Sequence, residues 1–363
     1  LRAFALVVCP TTLVATAAAQ APAPIVLHAA RLLEVDTGKI LSPGEILVEG
    51  ERISAIGTSV PHAANAKVID LGDTTLLPGL IDAHVHLFLH PGAEDLQTVE
   101  ESVPWRVILA EQAAKDDVMA GYTAERDMGT EGAGSADTAI RNAINAGIIP
   151  GPRMRLSGNA IDILGGHEDA NKYNPAQHVL SNADYANDAE QIIEVMREQH
   201  KEGSDFAKIY ETGKDKMVPD GHGGLTLKAP YQYTAEQLAA AVKEAKRLGT
   251  TVGVHDMGEP GTLYAAEAGV ASIDHATQLS DETMSLMKEK GIFAVPTFTI
   301  FEYFARHRAS REQAAAEAEL LNYKIAEFKK QLTYGIPFAV GSDVGPFPHG
   351  AQARELTLMV QYG

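Results

Sequence analysis

The sequence predicts an α/β protein: a (β/α)8 TIM-like barrel with a small β-sandwich subdomain, truncated at its C-terminus. Three observations carry this reading. Eight short, largely apolar segments follow residue 79, separated by helix-length patterns, as in a parallel sheet with helical crossovers. Several of them end on a histidine, lysine or aspartate, which suits a barrel whose site lies at the C-terminal ends of its strands. Before them, short alternating runs broken by tight turns read as antiparallel strands.

Taken in order, residues 1–19 read as a secretory signal peptide lacking its initiator methionine. Arg2 gives a basic start, Ala3 to Val14 an apolar core, and Ala17-Ala18-Ala19 a cleavage site before Gln20. That core is too short to span a bilayer, so export to the periplasm or medium is expected, without stable membrane insertion. The only cysteine, Cys9, lies in this segment, which leaves the mature chain without a disulfide framework or thiolate metal site. The 30 basic and 48 acidic residues give a formal charge of −18, which argues against nucleic acid as a partner.

Residues 20–75 form the N-terminal part of the sandwich, with strands at 25–33, 45–49, 52–57 and 68–71. Such a unit is too small to stand alone and needs partner strands. Residues 76–363 are assigned to the barrel. Its strands are expected at Leu80–Leu87, Gly121–Met128, Arg153–Ser157, Asp205–Tyr210, Thr251–Asp256, Ala271–His275, Ile292–Pro296 and Phe338–Ser342. Between them, helical patterns such as 234–248 and 281–290 end at Gly249 and Gly291, where glycine provides the stop.

The first barrel strand carries the main chemical signal. His84 and His86 stand at i and i+2 of a strand, so both imidazoles point to one face and can converge on a metal ion. Lys208, His255, His275 and Asp343 then close strands four, five, six and eight. Singly, each has a bland explanation, such as a lysine stem under a surface ammonium or an imidazole bonded to backbone. Jointly they form a ligand set. A protonated lysine has no lone pair to offer and would be repelled by cations. A neutral lysine can take up carbon dioxide as a carbamate, whose two oxygens can bridge two ions. The expected arrangement is a carbamylated Lys208 between one ion on His84, His86 and Asp343 and another on His255 and His275. Imidazole and carboxylate donors without thiolate fit zinc best.

The motifs LLPGLIDAHVH, DFAKIY, TVGVHD, SIDHA and AVGSD, as they stand here, resemble those of the amidohydrolase superfamily. The similarity is to its binuclear branch with a carbamylated lysine, and within it to the Xaa-Pro dipeptidase and carboxypeptidase-like group that includes ochratoxin-degrading enzymes. In that family the early β segment pairs with strands contributed after the barrel. This sequence stops at Gly363 in an expected helix, so those strands are expected to be missing.

The resemblance implies hydrolysis of an amide or peptide bond to a C-terminal amino acid, in a dipeptide, an N-acyl amino acid or an ochratoxin-like amide. Asp343 is the expected catalytic proton carrier, and the metals activate water and polarise the carbonyl. His167, Tyr210 and His349 are expected to bind substrate from loops on the catalytic face, while Phe298, Phe301, Tyr303 and Phe304 suit either an apolar pocket or helix packing. Oligomers are common in the family, so a homo-oligomer is compatible with it, although no segment specifies an interface. Two other readings stand beside this one: a lactonase or phosphotriesterase on the same metals, and a non-catalytic scaffold.

Overall fold

The computed structural model describes residues 23–363 except 93, 170–173, 175, 178 and 309. The expected signal peptide and Cys9 lie outside the described residues. The described residues divide into two compact units, one ending at Pro78 and the other beginning at Gly79.

In the first unit the strands are β1 (Ile25–Ala29), β2 (Arg31–Glu34), β3 (Lys39–Leu41), β4 (Gly44–Glu49), β5 (Arg52–Gly57), β6 (Lys67–Asp70) and β7 (Thr75–Leu76). They form two sheets, ordered β5-β4-β1-β6 and β3-β2-β7. The pairing is mixed, not purely antiparallel as expected. β1 runs antiparallel to β4 but parallel to β6, and β2 runs parallel to β7. The reason lies in the connections. Gly50, in the left-handed region, makes the tight β4–β5 turn, whereas β6 and β7 return after longer loops. Val26, Leu47 and Val60 form the small core.

The second unit begins with β8 (Leu80–Val85), α1 (Glu94–Glu100), α2 (Val103–Met119), β9 (Tyr122–Asp127), α3 (Ala136–Asn145) and β10 (Arg153–Leu156). It continues with β11 (Ala160–Asp162), β12 (Ala183–Tyr185), α4 (Ala189–Glu202), β13 (Ala207–Tyr210), β14 (Lys216–Pro219), β15 (Leu225–Lys228) and α5 (Ala235–Leu248). Then follow β16 (Val252–Asp256), α6 (Gly261–Ala268), β17 (Ser272–His275), α7 (Asp281–Lys290), β18 (Phe293–Val295), α8 (Phe298–His307), α9 (Arg311–Tyr334) and α10 (Arg354–Tyr362).

β8, β9 and β10 pair in parallel, and so do β13, β16, β17 and β18. The two stretches are joined where the amides of Asp205 and Phe206 donate to the Leu156 carbonyl. The expected eighth strand closes the wall, but only through isolated bridges, Ala294 to Phe338 and Val85 to Val344. Between those bridges, the Ala83 amide donates to the Val340 carbonyl over 2.8 Å. The ladder is interrupted because Asp343 turns left-handed at φ 61°. Gly341 is also pressed against the first strand, where a Cβ would lie 3.0 Å from that of His84.

The helices obey their caps. α5 opens with a reciprocal Thr234–Gln237 capping box and ends at left-handed Gly249. Its buried face of Leu238, Ala241, Val242 and Ala245 joins the main core against β13, β16 and β17. α9, of 24 residues, buries Leu320, Leu321, Lys324, Phe328 and Gln331, a stripe in which two members are polar. No helix among the described residues is long and apolar enough to cross a membrane.

Candidate metal centre

His84, His86, Lys208, His255, His275 and Asp343 all line one cavity of about 970 Å³. His84 near the end of β8 and His86 just beyond it bring their Nε2 atoms 3.3 Å apart. Asp343 Oδ1 lies 3.5 Å from the first and 3.4 Å from the second. Donor atoms of His84, His275 and Asp343 lie within 4.8 Å of one another. The His275 ring is 4.4 Å from that of His255 and 5.1 Å from that of His84, centroid to centroid. Lys208 enters from β13 with no solvent exposure, and its Nζ has no hydrogen-bond partner.

Backbone strain concentrates here. Among the described residues, the non-glycine ones with left-handed backbone are Glu131, His275, Ala276, Thr297 and Asp343; three line the cavity, Ala276 follows His275 in the chain, and Thr297 is hydrogen-bonded to it. Such conformations cost on the order of 1–3 kcal/mol each and persist where surrounding structure holds them. For Glu131 the holder is the buried Arg106 of α2, whose Nη1 donates to the Glu131 carbonyl over 2.6 Å.

Burial holds the imidazoles of His84, His255 and His275 well below the ordinary range, which leaves them neutral with lone pairs to donate. His86 is the exception. Burial pushes it down, but the Glu131 carboxylate hydrogen-bonded to it, together with Asp343, more than offsets this and brings it to about 9. Burial also lowers the Lys208 ammonium, against the pull of Asp274 and Asp343, and raises the carboxyl of Asp343.

Three supporting residues escaped the sequence reading. Glu131 Oε1 lies 3.2 Å from His86 Nδ1. Asp274, held by Arg126 over 2.7 Å, lies 3.7 Å from His84 Nδ1, and Thr297 Oγ1 lies 2.8 Å from His275 Nδ1. Such partners orient metal-binding imidazoles. An aspartate immediately before a strand-end histidine was the one local hint.

The donor set fits divalent ions on its own chemistry. Three neutral imidazoles, a carboxylate and a lysine nitrogen meet in one buried place, and His86 would join them by giving up its proton to a bound cation. His255 Nε2 and Lys208 Nζ are both buried there without hydrogen-bond partners.

Of the expected substrate-binding residues, two lie in the cavity and one does not. The His167 ring stacks on that of Tyr210 at 4.9 Å, and the Tyr210 hydroxyl donates to Glu131 over 3.3 Å. Burial, with Lys214 and Lys208 nearby, pushes His167 down to about 4. His349 is not among the lining residues. Its Nδ1 lies 2.7 Å from Asp117 Oδ2, and the Gly350 amide donates to the same carboxylate, so it fastens the segment after the eighth strand to α2. Phe301, Tyr303 and Phe304 line the wall, whereas Phe298 is fully buried against Phe328.

Residues 75–361 match the model of the amidohydrolase family. Ochratoxinase of Aspergillus niger is 27% identical over 311 residues, which cover 79% of this chain. This chain in turn spans about 61% of the length of that relative. An uncharacterized protein of Mycobacterium tuberculosis is 26% identical over 312 residues, covering 84% of this chain and 73% of that protein. Among solved structures, a Xaa-Pro dipeptidase with methionine bound in its active site superposes with a TM-score of 0.80 at 29% identity. That match covers 94% of this chain and 84% of the other. The A. niger ochratoxinase structure gives 0.77 at 23% identity, over 94% of this chain and 80% of that one, a likeness of fold. These neighbours share the barrel expected from the sequence.

Proposed function

Because the chain belongs to the amidohydrolase family, we propose that it is a binuclear metal-dependent hydrolase of amide bonds to a C-terminal amino acid. Its substrate is a small molecule: a dipeptide, an N-acyl amino acid or an ochratoxin-like amide. The observation that carries this reading is the convergence of four histidines, Asp343 and a buried Lys208 without a hydrogen-bond partner on one cavity. The dipeptidase with bound methionine, similar over most of both chains, supports the substrate class.

His84, His86 and Asp343 would hold one ion and His255 and His275 the other, with Lys208 between them. As a neutral amine, Lys208 Nζ could take up carbon dioxide, forming an N–C bond and releasing a proton, and the carbamate would supply anionic oxygen donors to the metal site. Two bound divalent ions, zinc by donor type, supply Lewis-acid polarisation of the carbonyl and acidify water. Asp343 accepts the proton from the attacking water at its carboxylate and delivers it to the leaving nitrogen. Tyr210 and His167 line the same cavity beside His255, and would donate to a substrate oxygen, the Tyr210 hydroxyl by turning from Glu131. The aromatic wall of α8 shields the site from water and receives an apolar side chain. Residues 1–19 direct the protein to the periplasm or medium, residues 20–75 contribute to a sandwich, and residues 76–363 carry the hydrolase.

The test is product analysis by mass spectrometry after incubating the protein, with zinc and bicarbonate, with dipeptides, N-acyl amino acids, ochratoxin A and simple lactones. Release of free C-terminal amino acids is expected, with a loss of more than about a hundredfold in Lys208→Ala. Opening of lactones alone would replace the substrate class, and wild-type turnover by Lys208→Ala would remove the carbamate.

A further inference from the structure

His275 differs from the other three histidines in how its backbone is held. The carbonyls of His84, His86 and His255 accept backbone amides, from Asp343, Leu89 and Glu211. The carbonyl of His275 is met by a side chain, the ammonium of Lys324 on α9, which also donates to Thr277 Oγ1 over 3.0 Å. Two turns further along, Gln331 Nε2 donates to the carbonyl of Ala276 over 2.7 Å. His275 and Ala276 are consecutive residues in the left-handed region, at φ 68° and 46°. For residues with a Cβ this is a strained pair. It turns the chain off β17, sends the imidazole into the cavity and leaves two carbonyls facing α9, where an ordinary strand end would have neither.

Lys324 and Gln331 are 2% and 3% exposed, on a helix face otherwise filled by Leu320, Leu321 and Phe328. Packing does not call for them. An apolar side chain of similar length would fill the space beside Phe298 and Phe301, over whose rings the Lys324 ammonium lies at 5.5 and 4.7 Å, without the burden of a buried charge. What an apolar residue cannot supply is a donor to the two turned carbonyls. Thr297, itself left-handed at φ 54°, holds the ring from the other side at Nδ1.

We infer that Lys324 and Gln331 are positioning residues, which hold the strained His275-Ala276 turn and thereby aim His275 at the metal. The inference rests on the binuclear reading above. Without their donors the turn relaxes toward ordinary backbone and the imidazole leaves its place, so one of two sites is weakened and the other is not.

The experiment is zinc binding, by stoichiometry and by competition with a chromophoric chelator, in bicarbonate buffer and without substrate. Fewer than two ions on the wild-type protein would overturn the binuclear reading itself, whatever α9 does. Given two, Lys324→Met is expected to lose tenfold to a hundredfold in affinity at one site and nothing at the other. Leu321→Ala removes packing from the same helix face. It is expected to lower the melting temperature while keeping both affinities. Wild-type affinity at both sites in Lys324→Met, or an equal loss in Leu321→Ala, overturns the inference. If Lys324→Met does not fold, Gln331→Met decides by the same criterion: selective loss at one site supports the role, and unchanged affinity refutes it.

Discussion

Glu355 shows how much a single side chain can carry here. It is fully buried and accepts hydrogen bonds from the Phe298 amide over 2.9 Å and from the Thr299 amide and hydroxyl over 2.7 Å, tying α10 to the first turn of α8. Burial raises its carboxyl from 4.5 to about 7, against those hydrogen bonds. Between these two values the folded protein keeps a proton that the unfolded chain has released, so stability falls as pH rises through that window. The full rise corresponds to about 3 kcal/mol. Urea unfolding at pH 4.5 and 7.5 should show this loss in the wild type and a smaller one in Glu355→Gln. Identical pH dependence in the two would show that Glu355 is not its source. At this scale the meeting of His84, His86, Lys208, His255, His275 and Asp343 in one cavity was legible, because the two histidines share the end of the first barrel strand and each of the others stands at or just after the end of a further one. Glu131, Thr297 and Lys324 were not, since their roles depend on chain approaches the sequence does not state. Lys324 meets His275 across 49 positions. His349 misled for the same reason: a loop after the eighth strand faces the site in an idealised barrel, but here Asp117 of α2 holds it.

Among the elements, legibility followed local consistency. The strands β8, β13, β16 and β17 lie within their expected segments because apolar runs, glycine stops and polar ends agreed there. α5 spans Ala235–Leu248 directly after its Thr234 cap, as its capping and periodicity indicate. Thr234→Ala removes the acceptor for the Gln237 amide and should cost about 1 kcal/mol in equilibrium unfolding with no change in zinc affinity. An altered zinc affinity would mean that the cap does more than start a helix. The eighth strand was harder to foresee in form. Its sequence reads as a normal strand, yet the turn at Asp343 and the close approach of Gly341 to β8 leave it only bridges. In the first unit the alternation was clear, but pairing direction depends on which later strand returns beside β1, and periodicity carries no information on that.

For the molecule as a whole, the donors concentrated in one cavity would make metal content a stability variable on the proposed reading. An ion bound only by the folded chain stabilises it by about 2.7 kcal/mol at a hundredfold excess over its dissociation constant. Chelation should therefore lower the melting temperature, and zinc with bicarbonate should restore it. A melting temperature unmoved by either would remove the metal centre. The strain at His275, Thr297 and Asp343 lies around this same cavity. α9 adds a constraint of another kind. Gln313, Glu317 and Leu320 in its first half line the cavity, while Lys324 and Gln331 in its second half grip the turn after β17. On the proposed reading, substrate choice and metal retention are thus written on a single rod, and mutations that retune one are expected to be pleiotropic for the other. A lineage diversifying its substrates, or an engineer doing so, would find the freer path in α8, where Ile300, Tyr303 and Phe304 can vary while the grip on the metal ligand stays intact.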